Sequence, residues 1–413
     1  MNQRPVPGTA LLWILACASA VSLIFEARTL IGSVLRPLLA NPHVLQTDFH
    51  YYYEAAERFS SNSGRLYSMA DDVIAGFAYP PPAIVPFIWL SKAPLGTALL
   101  AFTITSYLVL FGSLNQWIGY LKRNGFAVDR RSVIAIMLIA FASGPTYMNA
   151  IFGQVNAFVL AASVAFVCMA PTAILEPDTL LVLGIWLKIY PVVLAAIAIW
   201  DRRTWRALAW SVVALLMIGV LAMAVVPYRE FEAFFTEVLP ARADKTALHI
   251  VNQSLVGFLE RFRFAPESYL IWTGHEAVRV SLAVRLINAG FAAIAVAAMW
   301  KRRHAGALNA ACLIALIAVT APLGWGHTYV MVLPLVVYQL IALKNASQGH
   351  AIAIFVCVLA LMIPAGRHLA IDRAPDWLEN VVYSRYLIAT IALMTISTVL
   401  GRTTEPAPVI SSA

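Results

Sequence analysis

Long apolar runs separated by short polar stretches occupy almost the whole chain. Runs at 8–25, 95–121, 132–151, 155–174, 207–226, 281–300, 305–323, 329–344, 350–366 and 383–400 each approach the roughly 20 residues an α-helix needs to cross a bilayer. None alternates apolar and polar residues with the two-residue period of a membrane barrel strand. The pattern predicts an all-α polytopic membrane protein with about ten transmembrane helices. Two apolar pieces do not fit that scheme. "FAYPPPAIVPFIWL", Phe77 to Leu90, is short and carries prolines at 80, 81, 82 and 86; Leu180 to Trp200 has Lys188 and Pro191 at its centre.

Charge bias arbitrates both pieces. If 77–90 stays at the outer surface and 180–200 enters and returns as a re-entrant hairpin, the basic clusters share one side. These are Lys122, Arg123, Arg130 and Arg131; Arg202, Arg203 and Arg206; Lys301, Arg302 and Arg303; then Lys344 and Arg402. That side is the cytoplasm under the positive-inside rule, and both termini are expected there. Two full spans would break the rule. Each hairpin arm would reach about 16 Å, half a bilayer, and Pro191 supplies the break. A single kinked helix with a snorkelling lysine is the competing reading. The outer face then gathers a first loop at 26–94 with interfacial helices, "FGQVN" at 152–156, a second loop at 227–280, "PLGWGHTY" at 322–329, and 367–382. Residues 403–413 read as a disordered tail on one integral membrane domain.

Composition agrees. The 413 residues are 61% hydrophobic and 12% charged, against about 25% charged in soluble domains. The net charge of +8 sits at the ends of apolar runs, not in the contiguous soluble patch that nucleic acid would need. Cys17, Cys168, Cys312 and Cys357 lie inside apolar runs without metal or redox spacing, and read as small buried hydrophobes. The first apolar run reads as an uncleaved helix. Nothing in the sequence sets an oligomeric state.

Candidate chemistry concentrates in the outer segments. In "QTDFHYYYEAAERF", Glu54, Glu57 and Arg58 fall at i, i+3, i+4, which suits the solvated face of an interfacial helix. Asp71 and Asp72 suit a helix cap. Asp48 opens the helical pattern, so it is either an N-cap or a general base facing a cavity. Tyr52, Tyr67, Tyr79 and Tyr190 can line a sugar or lipid pocket or form an interfacial belt. Lys188 inside "GIWLKIYP" costs about 2.5–3.5 kcal/mol at mid-membrane unless it is solvated or paired, and an anion such as a phosphate is the sensible partner. His327 could complete a phosphate clamp. Gln154 and Asn156 suit capping or substrate contacts; Asn252, Gln253 and Arg261 suit sugar or anion binding, with Arg261 and Arg263 otherwise surface charges. There is no P-loop, HExxH, dinucleotide turn or metal-spaced set, and no large soluble domain for a nucleotide-sugar.

Taken in order, an acid early in the first outer loop, "YYYEAAERF…GRLY", "FAYPPPAIVPF", "FGQVN", "GIWLKIYP…WDRRTWRA", "NQSLVGFLERF" and "GWGHTYVMVLPLVVY" resemble glycosyltransferase family 87, the polyprenol-phosphate-mannose-dependent α-mannosyltransferases. The likeness covers roughly residues 45–340. It implies a GT-C fold and a metal-independent, inverting transfer of a sugar, mannose by family habit. The donor would be a polyprenyl-phosphate sugar, a co-substrate and not a cofactor, and the acceptor a lipid or glycan on the extracytoplasmic face of a bacterial membrane. By the same resemblance Asp48 is the base, Lys188 and His327 bind the donor phosphate, and Gln154, Asn156, Asn252 and Gln253 orient sugar or phosphate. The alternative is a secondary transporter of a small anion, using a broken helix around Lys188.

Overall fold

The computed structural model describes residues 7–35, 47–61, 65–67, 76–169, 176–199, 204–265, 267–270, 277–365 and 375–404. Asp71 and Asp72, and most of the predicted tail, lie outside the described residues. In chain order, α1 (Pro7–Thr29) leads to α2 (Asp48–Ser60), then a 3₁₀ turn Pro81–Ile84 with α3 (Val85–Leu90). Next come α4 (Leu95–Arg123), α5 (Arg130–Phe141), α6 (Gly144–Phe152), α7 (Asn156–Met169) and α8 (Glu176–Leu187). A 3₁₀ helix Tyr190–Ile199 precedes α9 (Thr204–Ala222), α10 (Tyr228–Ala233) and α11 (Leu239–Asp244). The strand β1 (Lys245–Ala247), α12 (Leu255–Arg261), α13 (Glu267–Leu270) and β2 (Ala277–Arg279) complete the second outer loop. Finally α14 (Leu282–Lys301), α15 (Gly306–Thr320), a 3₁₀ stretch Gly326–Val332 continuing into α16 (Leu333–Ala342), α17 (Gln348–Met362), α18 (Asp376–Tyr383) and α19 (Arg385–Thr404) close the chain.

The fold is that of an all-α membrane protein, with one short antiparallel pair that sets Lys245 of β1 opposite Arg279 of β2. Among the described residues, four helices are long and apolar enough to cross a membrane: Gly8–Gly32, Leu95–Arg123, Leu282–Lys301 and Gly326–Asn345. The pair α5 and α6, bent by 51°, makes a fifth if counted as one span. The bend falls at Ser143, whose hydroxyl caps α6 ahead of Pro145; proline lacks the N–H that would continue α5. The other predicted runs form α7, α9, α15, α17 and α19, helices of 14–20 residues.

The rim helices face a non-aqueous surface. Leu216 and Leu221 on α9 and Leu282 and Ile294 on α14 are all exposed, a continuous apolar surface that water would not tolerate. Cys17 joins them: it is exposed on α1, while Cys168, Cys312 and Cys357 are buried. At the centre, residues 326–343 are all buried. Trp117 of α4 donates to Pro334 O at 2.9 Å, which satisfies the indole N–H inside an apolar core. The bundle is polar in opposite ways at its two ends. Lys344 Nζ meets Asp129 Oδ2 at 2.5 Å, beside the basic residues that end α4 and begin α5. The other end carries α2, the 3₁₀ turn before α3 and the second outer loop.

At Lys188 the chain turns back. The last helical bond of α8 runs from Lys188 N to Gly184 O at 2.9 Å, and Pro191 cannot extend it. A Cβ on Gly184 would lie 2.7 Å from Ala162 Cβ and 3.7 Å from the Pro191 ring. Only glycine allows α7, α8 and the returning 3₁₀ arm to meet there. Residues 184 and 191 would stand about 10 Å apart along a straight helix. A single kinked helix is therefore not what forms.

Candidate active site

Three local structures present the site. The helix α2 buries Phe49, Tyr52, Tyr53 and Ala56, spaced at i, i+3, i+4, i+7 as an amphipathic helix requires. That face packs on the aromatic rings of Phe102 and Phe87, at 5.2 Å from Phe49 and 4.8 Å from Tyr52. Thr47 holds the cap position, without a side-chain capping bond, and Asp48 is the first helical residue. Between α6 and α7, Gly153 takes a left-handed φ of 61°, the usual glycine exit from a helix. A Cβ there would lie 2.6 Å from Phe49 Cβ, so the turn sits directly under α2. Gln154 and Asn156, carried by that turn, are buried, and both side chains are spent across the site.

The bonds form one line. Gln154 Nε2 donates to Asp48 Oδ2. Tyr79 OH donates to Gln154 Oε1 at 3.1 Å, so the 2.7 Å contact between Tyr52 and Tyr79 has Tyr52 as donor. On the far side of Asp48 Oδ2 stands His327 Nε2, at 3.6 Å. Lys188 Nζ donates to Asn156 Oδ1 at 2.9 Å. That fixes the Asn156 amide, whose Nδ2 then donates to His327 Nδ1 at 2.9 Å and His327 O at 3.2 Å. With Nδ1 accepting, the ring proton sits on Nε2, aimed at Asp48. Lys188 also lies 5.7 Å from the Tyr79 ring centre and 5.6 Å from that of Tyr190, within cation–π range. Asp48 Oδ1 makes no hydrogen bond among the described residues. Burial holds the Asp48 pKa above the ordinary carboxylate value, against the pull of the Gln154 bond and of Lys188 and Arg242.

These groups line a cavity of about 250 Å³. Asp48, Tyr52, Tyr79, Gln154, Lys188, Tyr190 and His327 reach it directly. Asn156 stands behind Lys188 and His327, and Tyr67 stands behind Tyr79, donating to its carbonyl at 2.7 Å. His327 is beside the acid, and meets Lys188 only through Asn156. Glu54 pairs with His50 at 2.9 Å on the outer face of α2, and Glu57 is exposed, as expected.

Asn252, Gln253 and Arg261 do not reach the cavity. Arg261 is fully buried, donating to Asn380 Oδ1 and Ser384 Oγ at 2.7 Å each and to Asn252 O at 2.9 Å. Gln253 Nε2 donates to Tyr383 O at 2.7 Å, and its Oε1 accepts from Tyr386 N at 3.1 Å. Asn252 donates to Ala247 O at 2.8 Å. With every polar atom consumed by neighbours, these residues build the frame behind His327. The bonds Gln253 N to Gly324 O (2.8 Å) and Gly326 N to Val251 O (2.9 Å) clamp the loop that presents it. In the other direction, Arg242 of α11 and Trp325 line the cavity without any spacing in the sequence that marks them. Among the described residues, no three His, Cys, Asp or Glu side chains group closely enough to hold a metal ion.

The fold and the cavity together define a helical membrane protein with an acid, an amide-fixed imidazole and a lysine on one cavity wall. The sequence profile of glycosyltransferase family 87 matches residues 77–323, more than half the chain, and the chain belongs to that family. It is 25% identical over 296 residues to the polyprenol-phosphate-mannose-dependent alpha-(1-2)-phosphatidylinositol mannoside mannosyltransferase of Mycolicibacterium smegmatis, covering 66% of this chain and 63% of that protein. It is 26% identical over 318 residues to the alpha-(1-2)-phosphatidylinositol pentamannoside mannosyltransferase of the same organism, covering 74% and 72%. Family membership does not favour the transporter reading.

Proposed function

We propose that the protein is an inverting glycosyltransferase of GT-C architecture that moves mannose from polyprenyl phosphate to a hydroxyl of a lipid or glycan acceptor. The donor sugar follows the names of the relatives. The reaction face is extracytoplasmic, because the cavity lies at the end opposite the basic clusters, and the Lys188 turn is the tip of a hairpin entering from the cytoplasmic side. The carrying observation is the convergence on one cavity of Asp48, held by Gln154, with His327 3.6 Å from it and hydrogen-bonded through Asn156 to Lys188.

The acceptor oxygen attacks the anomeric carbon from the face opposite the phosphate, and its proton passes to Asp48. The bond from that carbon to the phosphate oxygen breaks with its electron pair on the phosphate, and configuration inverts. A carboxylate whose pKa burial has raised is a better proton acceptor near neutrality. His327 Nε2–H steadies it. Lys188 and Arg242, both on the cavity wall, answer the charge developing on the departing phosphate, the kind of preorganised electrostatics worth most to catalysis. No step is routed through a metal.

The test uses purified full-length protein with radiolabelled polyprenyl-phosphate-mannose and a membrane lipid extract. A new labelled glycolipid is expected with the wild type and none with Asp48→Asn, at unchanged detergent stability. Transfer retained by Asp48→Asn overturns the assignment.

A further inference from the structure

A second hollow lies beside the polar cavity, toward α14. Ala243 and Pro322, which line the cavity, also line this hollow, a groove between α14 and α15 that passes Ala289 and Ala292. Val280 and Arg285 carry that groove outward to a shallow bowl edged by Arg263 and Arg279. Three guanidiniums gather there around two carboxylates. Arg263 NH1 pairs with Glu260 at 2.5 Å, and Asp244 holds both Arg279, at 2.9 Å, and Arg285. The bowl therefore keeps a net positive charge. The Arg279 side chain is 81% exposed and commits only its Nε among the described residues. Directly beside it α14 exposes Leu282 and Leu286. Inside the groove, Asn288 donates to Thr320 O at 3.0 Å but leaves its Oδ1 buried without a partner among the described residues.

We propose that this groove is a lateral port for the acceptor, an anionic phospholipid or phospholipid-linked glycan; the inference rests on the transferase reading above. Its phosphate seats in the arginine bowl at the level of lipid headgroups. An acyl chain lies along α14, where Ala289 and Ala292 leave room. The polar extension passes Ala243 and Pro322 to bring a hydroxyl to Asp48. Lys188 and Arg242 already answer the donor phosphate deep in the cavity. A second cationic site at the outer mouth suits the other phosphate-bearing lipid.

Equilibrium binding of radiolabelled short-chain phosphatidylinositol to the purified full-length protein tests this, with phosphatidylcholine as the zwitterionic control. The wild type is expected to prefer the anionic lipid by about thirtyfold, on the usual strength of two arginines near a charged surface. Arg279→Gln should lower that preference severalfold, and Arg279→Gln with Arg285→Gln should abolish it. Ala292→Phe, which fills the groove and keeps the arginines, should weaken phosphatidylinositol binding by a similar factor. An unchanged preference in the arginine variants overturns the proposal, as does full binding by Ala292→Phe, which would mean surface attraction without a groove. Farnesyl phosphate supplies the donor arm. Failure to displace the bound lipid supports the port, and displacement that is lost in the arginine variants would assign the bowl to the donor and overturn it. A wild-type protein that shows the preference yet forms no labelled glycolipid refutes the transferase reading alone.

Discussion

Gln154→Leu isolates how the site sets its base. Gln154 Nε2 donates to Asp48 Oδ2 and its Oε1 accepts from Tyr79 at 3.1 Å; leucine keeps the volume and can do neither. A hydrogen bond to an ionised group contributes about 1.5–3 kcal/mol. The Asp48 side chain is 33% exposed, so solvent screening places the loss near the lower end, about 1.5 kcal/mol. That bond favours the charged carboxylate, and without it Asp48 holds its proton more tightly. At a fixed pH on the acid side, the transfer rate should fall by about tenfold, since 1.4 kcal/mol is one decade in a protonation equilibrium. On the alkaline plateau Asp48 is ionised in both proteins and the rates should converge to within about threefold. The assay is the initial rate of mannolipid formation across the pH range at saturating donor. Tyr79→Phe is the control, because it loses the tyrosine bond and keeps the amide on Asp48, so its acid limb should stay in place. Two parallel profiles for wild type and Gln154→Leu would refute the reasoning, because the amide would then not be tuning the base.

Four other outcomes follow from the geometry. Lys188→Ala should raise the KM for donor by about 10–100-fold, the worth of one charge-assisted bond; an unchanged donor KM removes Lys188 from phosphate binding. Arg261→Leu should cost at least about 3 kcal/mol by leaving several buried acceptors unpaired, read as a large fall in Tm, while the KM of whatever protein folds is unaltered. Gly153→Ala forces a Cβ against Phe49 and a non-glycine residue into positive φ, so it should lower both Tm and kcat, with a destabilisation above about 1 kcal/mol; a silent substitution would show that α2 is not seated on that turn. Asp129→Ala removes the cap bond to Ser132 N (2.8 Å) and should cost about 1 kcal/mol, with donor and acceptor KM both untouched at that distance from the cavity.

Apolar runs located the long apolar helices to within about five residues. The run 281–300 became Leu282–Lys301, and 95–121 became Leu95–Arg123. The pattern could not say how far each run extends as a regular helix, because breaks such as Ser143 with Pro145 depend on local capping. A lysine amid apolar residues was anomalous enough to mark Lys188 without any structure, since burying an unpaired charge is costly. Asp48 was separable from Glu54 and Glu57 by its place before the helix face. Asn252, Gln253 and Arg261 could not be told apart from cavity residues, because polar residues near a loop look alike whether they meet a cavity or neighbouring backbone. Only the fold shows which groups on α18 and α19 come within reach, such as Tyr383 O and Tyr386 N–H. Arg242 was invisible for the converse reason: α11 is a short, mixed-charge helix, and its proximity to Asp48 arises from folding of the whole second loop.

The close approach of Gly153 to Phe49 has a mechanical consequence. His327 begins a rod insulated from lipid on every side, whereas Asp48 rides on a helix laid over the bundle end and carried by separate chain. The 3.6 Å between their side chains is thus a gap between two bodies, with the missing methyl at residue 153 as its spacer. Adding that methyl would act like a shim, lifting acid from imidazole while leaving each body intact, so the reactive geometry could be detuned in graded steps by the size of one side chain that touches no substrate.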